Sequence, residues 1–372
     1  MKIVEGVYTS AKILTDAVED YAIAQIKQLC DLEAFRDSTI RVMPDVHPGK
    51  VGTIGFTARV KGKILPNVVG VDIGCGITLA KLRQKRMEFQ KLDRVIREQV
   101  PSGTQIRRKM TARGEAAALE NLRCFFHIQE EKARLSMGTL GGGNHFIEIG
   151  QDEEGNLYSA IHSGSRRLGK EVTEHYLKEG QRRLKESGCS VPYELTVLEE
   201  GELLEDYLHD LEIVQEFAAQ NRMAILNEMA KGMKWKLESV ISIPHNYVEQ
   251  NGKELLIRKG AISAKAGEPV VIPINMRDGI ILGTGLGNED WNWSAPHGAG
   301  RILKREDVGK RYTPAQFKEQ MKGIYCTCIG RDTLDEAPFA YRKMEEIAGQ
   351  ISETIRIERI IKPVYSFKAG RR

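Results

Sequence analysis

Long hydrophobic runs are missing from this sequence. Nowhere among its 372 residues do apolar side chains continue for the roughly 18 positions that a transmembrane helix needs. A secretory leader is not expected either, because acidic residues interrupt MKIVEGVYTSAKILTDAVED before an apolar region develops. An excess of one charge sign is lacking too: Lys and Arg total 55 against 51 Asp and Glu, a net +4. Any polyanion would therefore be held by a local groove and not by overall charge. The 6 cysteines contain no CxxC pair, which argues against a structural zinc finger. Without a leader, reduced thiols and a cytoplasmic location are expected. No GxxxxGK[ST] phosphate loop occurs, and Gly283, Gly285 and Gly287 of GTGLGNED miss the GxGxxG spacing. A composition 41% hydrophobic and 28% charged excludes widespread disorder.

Glycine, by contrast, is plentiful, at 36 residues where about 7% of a chain is usual. It gathers in three β-rich stretches: RVMPDVHPGKVG through GVDIGCGITLAKL, residues 136–170, and residues 239–301. Residues 85–135 and 170–235 read as charged helices. The start reads as a strand, KIVEGVYT, then an amphipathic helix, DAVEDYAIAQIKQLCDL. The tail reads as a helix near 336–358 and an extended IKPVYSFKAG. No repeat or low-complexity linker divides the chain. Strand and helix blocks do not strictly alternate, so the pattern predicts an α+β fold: one complex domain of mixed sheets with surrounding helices, residues 1–372. Loops from the three glycine-rich regions are expected to converge on one site.

Histidine is the sharpest chemical signal. Five of the eight lie in loops flanked by Gly, Asn or Pro: His47 (MPDVHPGK), His145 (GGGNHFIE), His162 (IHSGSRRLG), His245 (IPHNYVE) and His297 (APHGAGR). His127, His175 and His209 sit in charged helical stretches and read as surface or satisfied residues. In GVDIGCGI, Gly70, Gly74 and Gly76 allow Asp72 and Cys75 to face one point. Imidazoles, a thiolate and a carboxylate suit Mn²⁺, Fe²⁺, Co²⁺ or Zn²⁺. Cys75 reads equally well as a small buried residue. HSGSRRLG offers Ser163, Ser165, Arg166 and Arg167 for anion capture, and HGAGR repeats the idea with Arg301. Asn221 and Arg222 interrupt a helix that otherwise reads as core, and an exposed face would accommodate them. Trp291 and Trp293 alternate as in a strand, with core packing favoured over base stacking.

MPDVHPGK, GVDIGCG, GTLGGGNHFIE, HSGSRRLG, AAQNR, PHN, RKGA, HGAGR, DEAP and PVYSFK, in this order, resemble the RtcB family of RNA-splicing ligases. The resemblance runs from about residue 40 onward, and the chain's length fits a compact subgroup. It implies a GTP- and Mn²⁺-dependent ligase acting through a histidine–GMP intermediate. Such an enzyme joins RNA ending in a 3′-phosphate or 2′,3′-cyclic phosphate to a 5′-hydroxyl end, in RNA splicing or repair. An activating protein of the archease kind is an implied partner, and no membrane is. By the same resemblance His297 is the nucleophile and Asp45 orients it. One metal ion is assigned to Asp72, Cys75 and His145, a second to Cys75, His162 and His245. Guanylate contacts fall on Asn144, His145, Phe146, Ile147 and Glu148, on His245 and Asn246, on Pro273, Ile274, Asn275 and Met276, on His297, Gly298, Ala299 and Gly300, and on Lys368. Here the chain departs from the usual pattern: PINMRDGI places Ile280 where relatives offer a serine, Pro296 precedes the histidine, and Ala369 follows Lys368. The alternatives are a metal-dependent RNA phosphodiesterase or phosphatase that forms no guanylate adduct, and a noncatalytic RNA-binding protein.

Overall fold

The computed structural model describes residues 1–370. At its centre is a seven-stranded antiparallel sheet. Its strands, in spatial order, are Leu237–Pro244, Gly76–Leu82, Leu157–Ser163, Phe146–Gln151, Ile355–Lys368, Gly279–Gly285 and Pro269–Asn275. The central segments GITLAKL and LYSAIHS are covered on both faces. On one face, Ala80, Ile147, Ile149 and Ile161 pack with Leu92 and Ile96 of helix Phe89–Gln99 and with Ile225, Leu226 and Met229 of the long helix Glu202–Met233. On the other, Ile77, Leu79, Phe146, Val271, Ile280 and Ile361 form a second apolar layer.

A six-stranded sheet lies beside it: Lys2–Glu5, Ser10–Ile13, Thr39–Pro48, Thr53–Lys61, Glu254–Lys259 and Asn246–Asn251. It is antiparallel except where Ser10–Ile13 runs parallel to Thr39–Pro48. Ile40, Val42 and Phe56 pack with Ile26 and Leu29 of helix Asp20–Cys30, Val172 and Tyr176 of helix Arg166–Glu186, and Leu211, Val214 and Phe217 of the long helix. The long helix thus serves both cores, with Asn221 and Arg222 at the changeover. His245 is the single residue between a strand of one sheet and a strand of the other.

Register brings the strand ends into one row. Pro244 pairs with Gly76, Gly76 with Ser163, Phe146 with His162, and Lys368 with Phe146. Antiparallel neighbours run in opposite senses, so the starts at Gly76 and Phe146 lie beside the finishes at Pro244, Ser163 and Lys368. Cys75, His145, His162, His245 and Lys368 therefore share one edge of the sheet.

The α+β architecture agrees with the sequence expectation, while several local expectations need correction. Within 85–135 the regular helices are Phe89–Gln99, the single turn Ala112–Glu115 and Glu130–Ser136, because Pro101 and Gly103 break the pattern between them. The helix expected near 336–358 is only Met344–Gln350. After it, the β-branched IRIERIIK pairs with Gly279–Gly285 as a strand. Trp291 and Trp293 do not alternate along a strand: Glu289–Trp291 is a 3₁₀ turn, and Asn292 and Trp293 adopt left-handed backbone conformations. Trp291 is buried, as expected for core packing.

Candidate metal centre and adjoining pocket

Cys75 ends the tight GVDIGC loop with its sulfur buried. The sulfur stands 3.5 Å from His145 Nε2 and 3.3 Å from His162 Nε2. Asp72 Oδ2 is 3.1 Å from His145 Nε2, and His162 Nε2 is 3.4 Å from His245 Nε2. The donor atoms of Asp72, Cys75 and His145 all lie within 4.8 Å of one another, as do those of Cys75, His162 and His245. Two three-donor sets thus share one sulfur. Separations of about 3–3.6 Å are those between ligands around an ion with bonds near 2.0–2.3 Å.

Hydrogen bonding on the far side of each ring sets what it presents to the cluster. His145 Nδ1 is 2.9 Å from the Leu140 carbonyl and His162 Nδ1 is 3.1 Å from the Asn144 carbonyl. A carbonyl only accepts, so His162 carries its proton on Nδ1 and presents the Nε2 lone pair to the cluster. His145 Nδ1 also faces the Arg166 guanidinium at 3.2 Å, and its Nε2 faces the Asp72 carboxylate. A carboxylate, a thiol and imidazoles converging in a buried space fit a divalent ion. Burial and neighbouring imidazoles hold the pKa values of His162 and His245 well below the ordinary histidine value. Burial and the Asp72 charge push the Cys75 thiol well above its ordinary value. Burial opposes ionisation of Asp72, yet hydrogen bonds from His145 and Cys75 and the nearby Arg166 charge hold it below the usual carboxylate range. A metal at the shared sulfur would have to displace the Cys75 proton.

Beside the cluster opens a pocket. His297 stands in its wall, with its ring centroid 4.6 Å from that of His245. Asp45 Oδ2, fully buried, accepts from His297 Nδ1 at 2.7 Å and from the His297 backbone N–H at 3.2 Å. In the neutral ring this leaves Nε2 as the nitrogen with the lone pair. Asp45 stands where the Thr39–Pro48 strand leaves its register, between Val42 and His47. Opposite it, Gly55 has a positive φ of 81° and leaves space for the carboxylate: a Cβ there would come within 2.9 Å of Asp45 Oδ1. Similarly, a Cβ on Gly164 would overlap the Asp72 carboxylate.

The opposite wall is charged. Glu336, nearly inaccessible to solvent, accepts from Lys368 Nζ at 2.6 Å and Tyr341 Oη at 2.5 Å, and it also pairs with Arg301 and Arg305. Burial alone would raise its pKa, but Lys368, Arg305 and Arg301 hold it down to about 2. Glu148 is pushed up to about 8 by burial, against a weaker opposing effect from Lys368, and its Oε1 has no hydrogen-bond partner. An unpartnered, easily protonated carboxyl in a pocket wall is a ready recognition group for a ligand's polar edge.

Asn221 and Arg222 are buried, not exposed as their polarity suggested. Asn221 accepts from Gly138 N and Thr139 N and donates to the Thr139 and Gly164 carbonyls and to Ser163 Oγ. Arg222 donates to the Gly74 and Ser163 carbonyls and to Thr78 and Ser242. The pair ties down the loops that carry Cys75, His145 and His162, a polar role that helical periodicity alone does not reveal.

Of the residues singled out in the sequence, Asn144, Phe146, Glu148, His245, Pro273 to Met276, His297 to Gly300 and Lys368 line the pocket. His145 sits at the metal end. Ile147 points into the core, because the side chains of a strand alternate and Phe146 and Glu148 face the pocket. Asn246 braces the site instead, donating to the Asp72 carbonyl and accepting from Gly260 N. Ile280 is buried in the apolar layer and does not line the pocket. Among the groups offered for anion capture, Ser163 Oγ donates to the Leu140 carbonyl, Ser165 is fully buried, and Arg167 pairs with Glu171; Arg166 reaches the cluster, 3.2 Å from His145 Nδ1, and Arg301 lines the pocket. His47, Arg305, Glu336 and Tyr341 line the pocket without having been assigned to it. DEAP, which contains Glu336, was the available signal. His127 and His175 stack on each other, and His209 contacts the Asn121 carbonyl, as satisfied residues do. Among the described residues, no helix is long and apolar enough to cross a membrane.

The family model described as tRNA-splicing ligase RtcB matches residues 25–127 and 114–369. RNA-splicing ligase RtcB1 of Escherichia coli strain ATCC 25922 is 31% identical, over 88% of this chain and 90% of its own length. RNA-splicing ligase RtcB of Escherichia coli K12 is 30% identical over the same shares. tRNA-splicing ligase RtcB of Aeropyrum pernix is 27% identical over 97% of this chain and 93% of its own.

Proposed function

The chain belongs to the RtcB family, and from that membership we propose that it is a GTP- and Mn²⁺-dependent RNA ligase working as one catalytic domain. Its substrates are RNA ends bearing a 3′-phosphate or 2′,3′-cyclic phosphate and a 5′-hydroxyl. The observation that carries the proposal is the juxtaposition of two donor sets sharing Cys75 with an imidazole, His297, held in one tautomer by Asp45. Binding RNA alone would need neither.

In this reading His297 Nε2 attacks the α-phosphorus of GTP, a phosphorus–nitrogen bond forms, and pyrophosphate leaves. Asp45 keeps Nδ1–H in place and offsets the positive charge that develops on the ring. Divalent ions at Asp72–Cys75–His145 and Cys75–His162–His245, when bound, supply Lewis-acid charge neutralisation at phosphoryl oxygens. The RNA 3′-phosphate then takes GMP from His297, and the 5′-hydroxyl displaces it. Glu148 and Lys368 face the space where the purine would lie, and Pro273 to Met276 border it. An archease-like activator would act on this same cycle.

The test is incubation with α-phosphate-labelled GTP and Mn²⁺, followed by a denaturing gel. An acid-labile, alkali-stable adduct is expected in wild type and absent in His297→Ala. The variant should still seal RNA already carrying a 3′-guanylylated end. No adduct in wild type, with metal bound, would favour the phosphodiesterase alternative.

A further inference from the structure

One pair of thiols lies behind the pocket and has no part in the reaction described above. Cys326 and Cys328 stand on a segment that runs beside the end of strand Ile355–Lys368. Tyr325 N donates to the Val364 carbonyl, and Ser366 N donates to the Tyr325 carbonyl, each at 3.0 Å. The next inward-facing N–H on this edge, that of Lys368, is received by the Cys328 sulfur at 3.3 Å. The chain bends at Thr327, whose hydroxyl donates to Asp93 at 2.7 Å and accepts from Arg97 at 2.6 Å. This bend leaves the two sulfurs 3.2 Å apart. A disulfide requires about 1 Å of further closure. Both residues are half-buried, so a small oxidant can reach them.

The two sulfurs are not equivalent. Cys328 alone receives the N–H of Lys368, and that contact, the neighbouring Cys326 thiol and the Lys368 and Arg97 charges favour its thiolate. One sulfur is thus suited to attack and the other to resolve.

We infer that Cys326 and Cys328 form an oxidation site which a hydroperoxide converts to a disulfide, releasing the Lys368 backbone from Cys328. The Cys328 thiolate attacks one peroxide oxygen, the O–O bond breaks, and hydroxide leaves and takes up the thiol's proton. The Cys326 sulfur then attacks the resulting sulfenic sulfur, the S–S bond forms, and water departs with the Cys326 proton. Two thiols and one hydrogen peroxide give one disulfide and two waters; sulfur is oxidised and peroxide reduced. In the disulfide, Cys328 no longer offers a charged acceptor to Lys368. The Lys368 ammonium reaches Glu336 in the pocket wall at 2.6 Å, so loosening its backbone disturbs that wall. The resulting loss of GTP capture rests on the proposed function; the modification itself does not.

The full-length chain, treated with hydrogen peroxide and then alkylated, supplies two readouts independent of nucleotide. By mass, the peptide containing residues 326–328 should lose two hydrogens and resist alkylation until dithiothreitol is added. By hydrogen–deuterium exchange, the Lys368 amide should exchange about fivefold faster after oxidation, the factor for one ordinary hydrogen bond, and should recover on reduction. In Cys328→Ser the oxidant should leave Lys368 exchange unchanged, and Cys326→Ser should stop at a sulfenic acid trapped by dimedone. The inference is overturned if both thiols remain alkylatable at doses that oxidise the exposed Cys189, or if the disulfide forms while Lys368 exchange does not move. GTP capture is read separately. It should fall in oxidised wild type and persist in the doubly substituted protein, which separates this pair from oxidation at Cys75. Reduced protein that captures no GTP would remove the proposed function, while mass and exchange would still decide the thiol pair.

Discussion

Replacing Asp45 by asparagine changes one charge and almost no volume. In the native arrangement Oδ2 takes both the Nδ1 proton and the backbone N–H of His297, at 2.7 and 3.2 Å, in a place with no solvent. A hydrogen bond to a charged group contributes about 1.5–3 kcal/mol, against about 1 for a neutral one. Asparagine must set either its oxygen or its NH₂ where Oδ2 stands, and with NH₂ there for part of the time the ring favours the tautomer with the proton on the attacking nitrogen. Adduct formation should therefore slow by roughly 10- to 100-fold, the equivalent of about 1.4–2.7 kcal/mol. The fold should hardly notice, because Oδ1 already lacks a hydrogen-bond partner and the variant removes a buried charge instead of creating one. Single-turnover labelling with GTP measures the first effect, and urea unfolding the second. A wild-type labelling rate in Asp45→Asn would refute the positioning role. A collapse of stability matching the loss of rate would make Asp45 a structural residue instead.

Four further outcomes are expected. Cys75→Ala should lose more bound Mn²⁺ than His245→Ala, because its sulfur belongs to both donor sets; equal losses in a metal count would argue against sharing. The low pKa values of His162 and His245 leave the Cys75 thiol as the main competitor for metal, so Mn²⁺ affinity should rise with pH through neutrality, with about one proton released per thiolate formed. Calorimetry in buffers of different ionisation heat counts that proton, and a count of zero would sink the idea. Glu336, lowered from 4.5 to about 2, contributes stability that is present above 4.5 and lost as pH falls toward 2, on the order of 3 kcal/mol. Glu336→Gln should be less stable at neutral pH, with a gap in unfolding free energy that narrows across that window; a gap independent of pH would refute the linkage. Asn221→Ala leaves Gly138 N, Thr139 N and two carbonyls without their partner and should cost about 3 kcal/mol or more in chemical denaturation. A loss below about 1 kcal/mol would show that water replaces it.

The candidate cluster was legible because glycine punctuates it: GVDIGCG and GGGNH mark backbones that turn tightly enough to aim Asp72, Cys75 and His145 inward. The charged wall was not. Arg305 and Tyr341 carry no local sign that separates them from surface residues, Glu336 is marked only by DEAP, and only the tertiary fold brings 305 and 336 to Lys368. The orientation of Ile280 was hidden for a related reason. Its position in PINMRDGI suggested a nucleotide contact, whereas pairing with Pro273 and Ile361 commits its side chain to the layer behind the pocket. Helix boundaries failed where β-branched residues followed a helical stretch, as at 355–361, since the partner strand that stabilises them lies some 75 residues earlier.

The long helix Glu202–Met233 has a consequence for how the molecule comes apart. Its first part belongs to one core and its last part to the other, and the polar pair between them grips the loops that carry the donors. Neither half of the fold can assemble the cluster unaided, so opening of either core should dissolve it. The two cores are therefore expected to melt as one cooperative unit in the presence of metal, because any ligand that binds only the assembled cluster stabilises both at once through mass action.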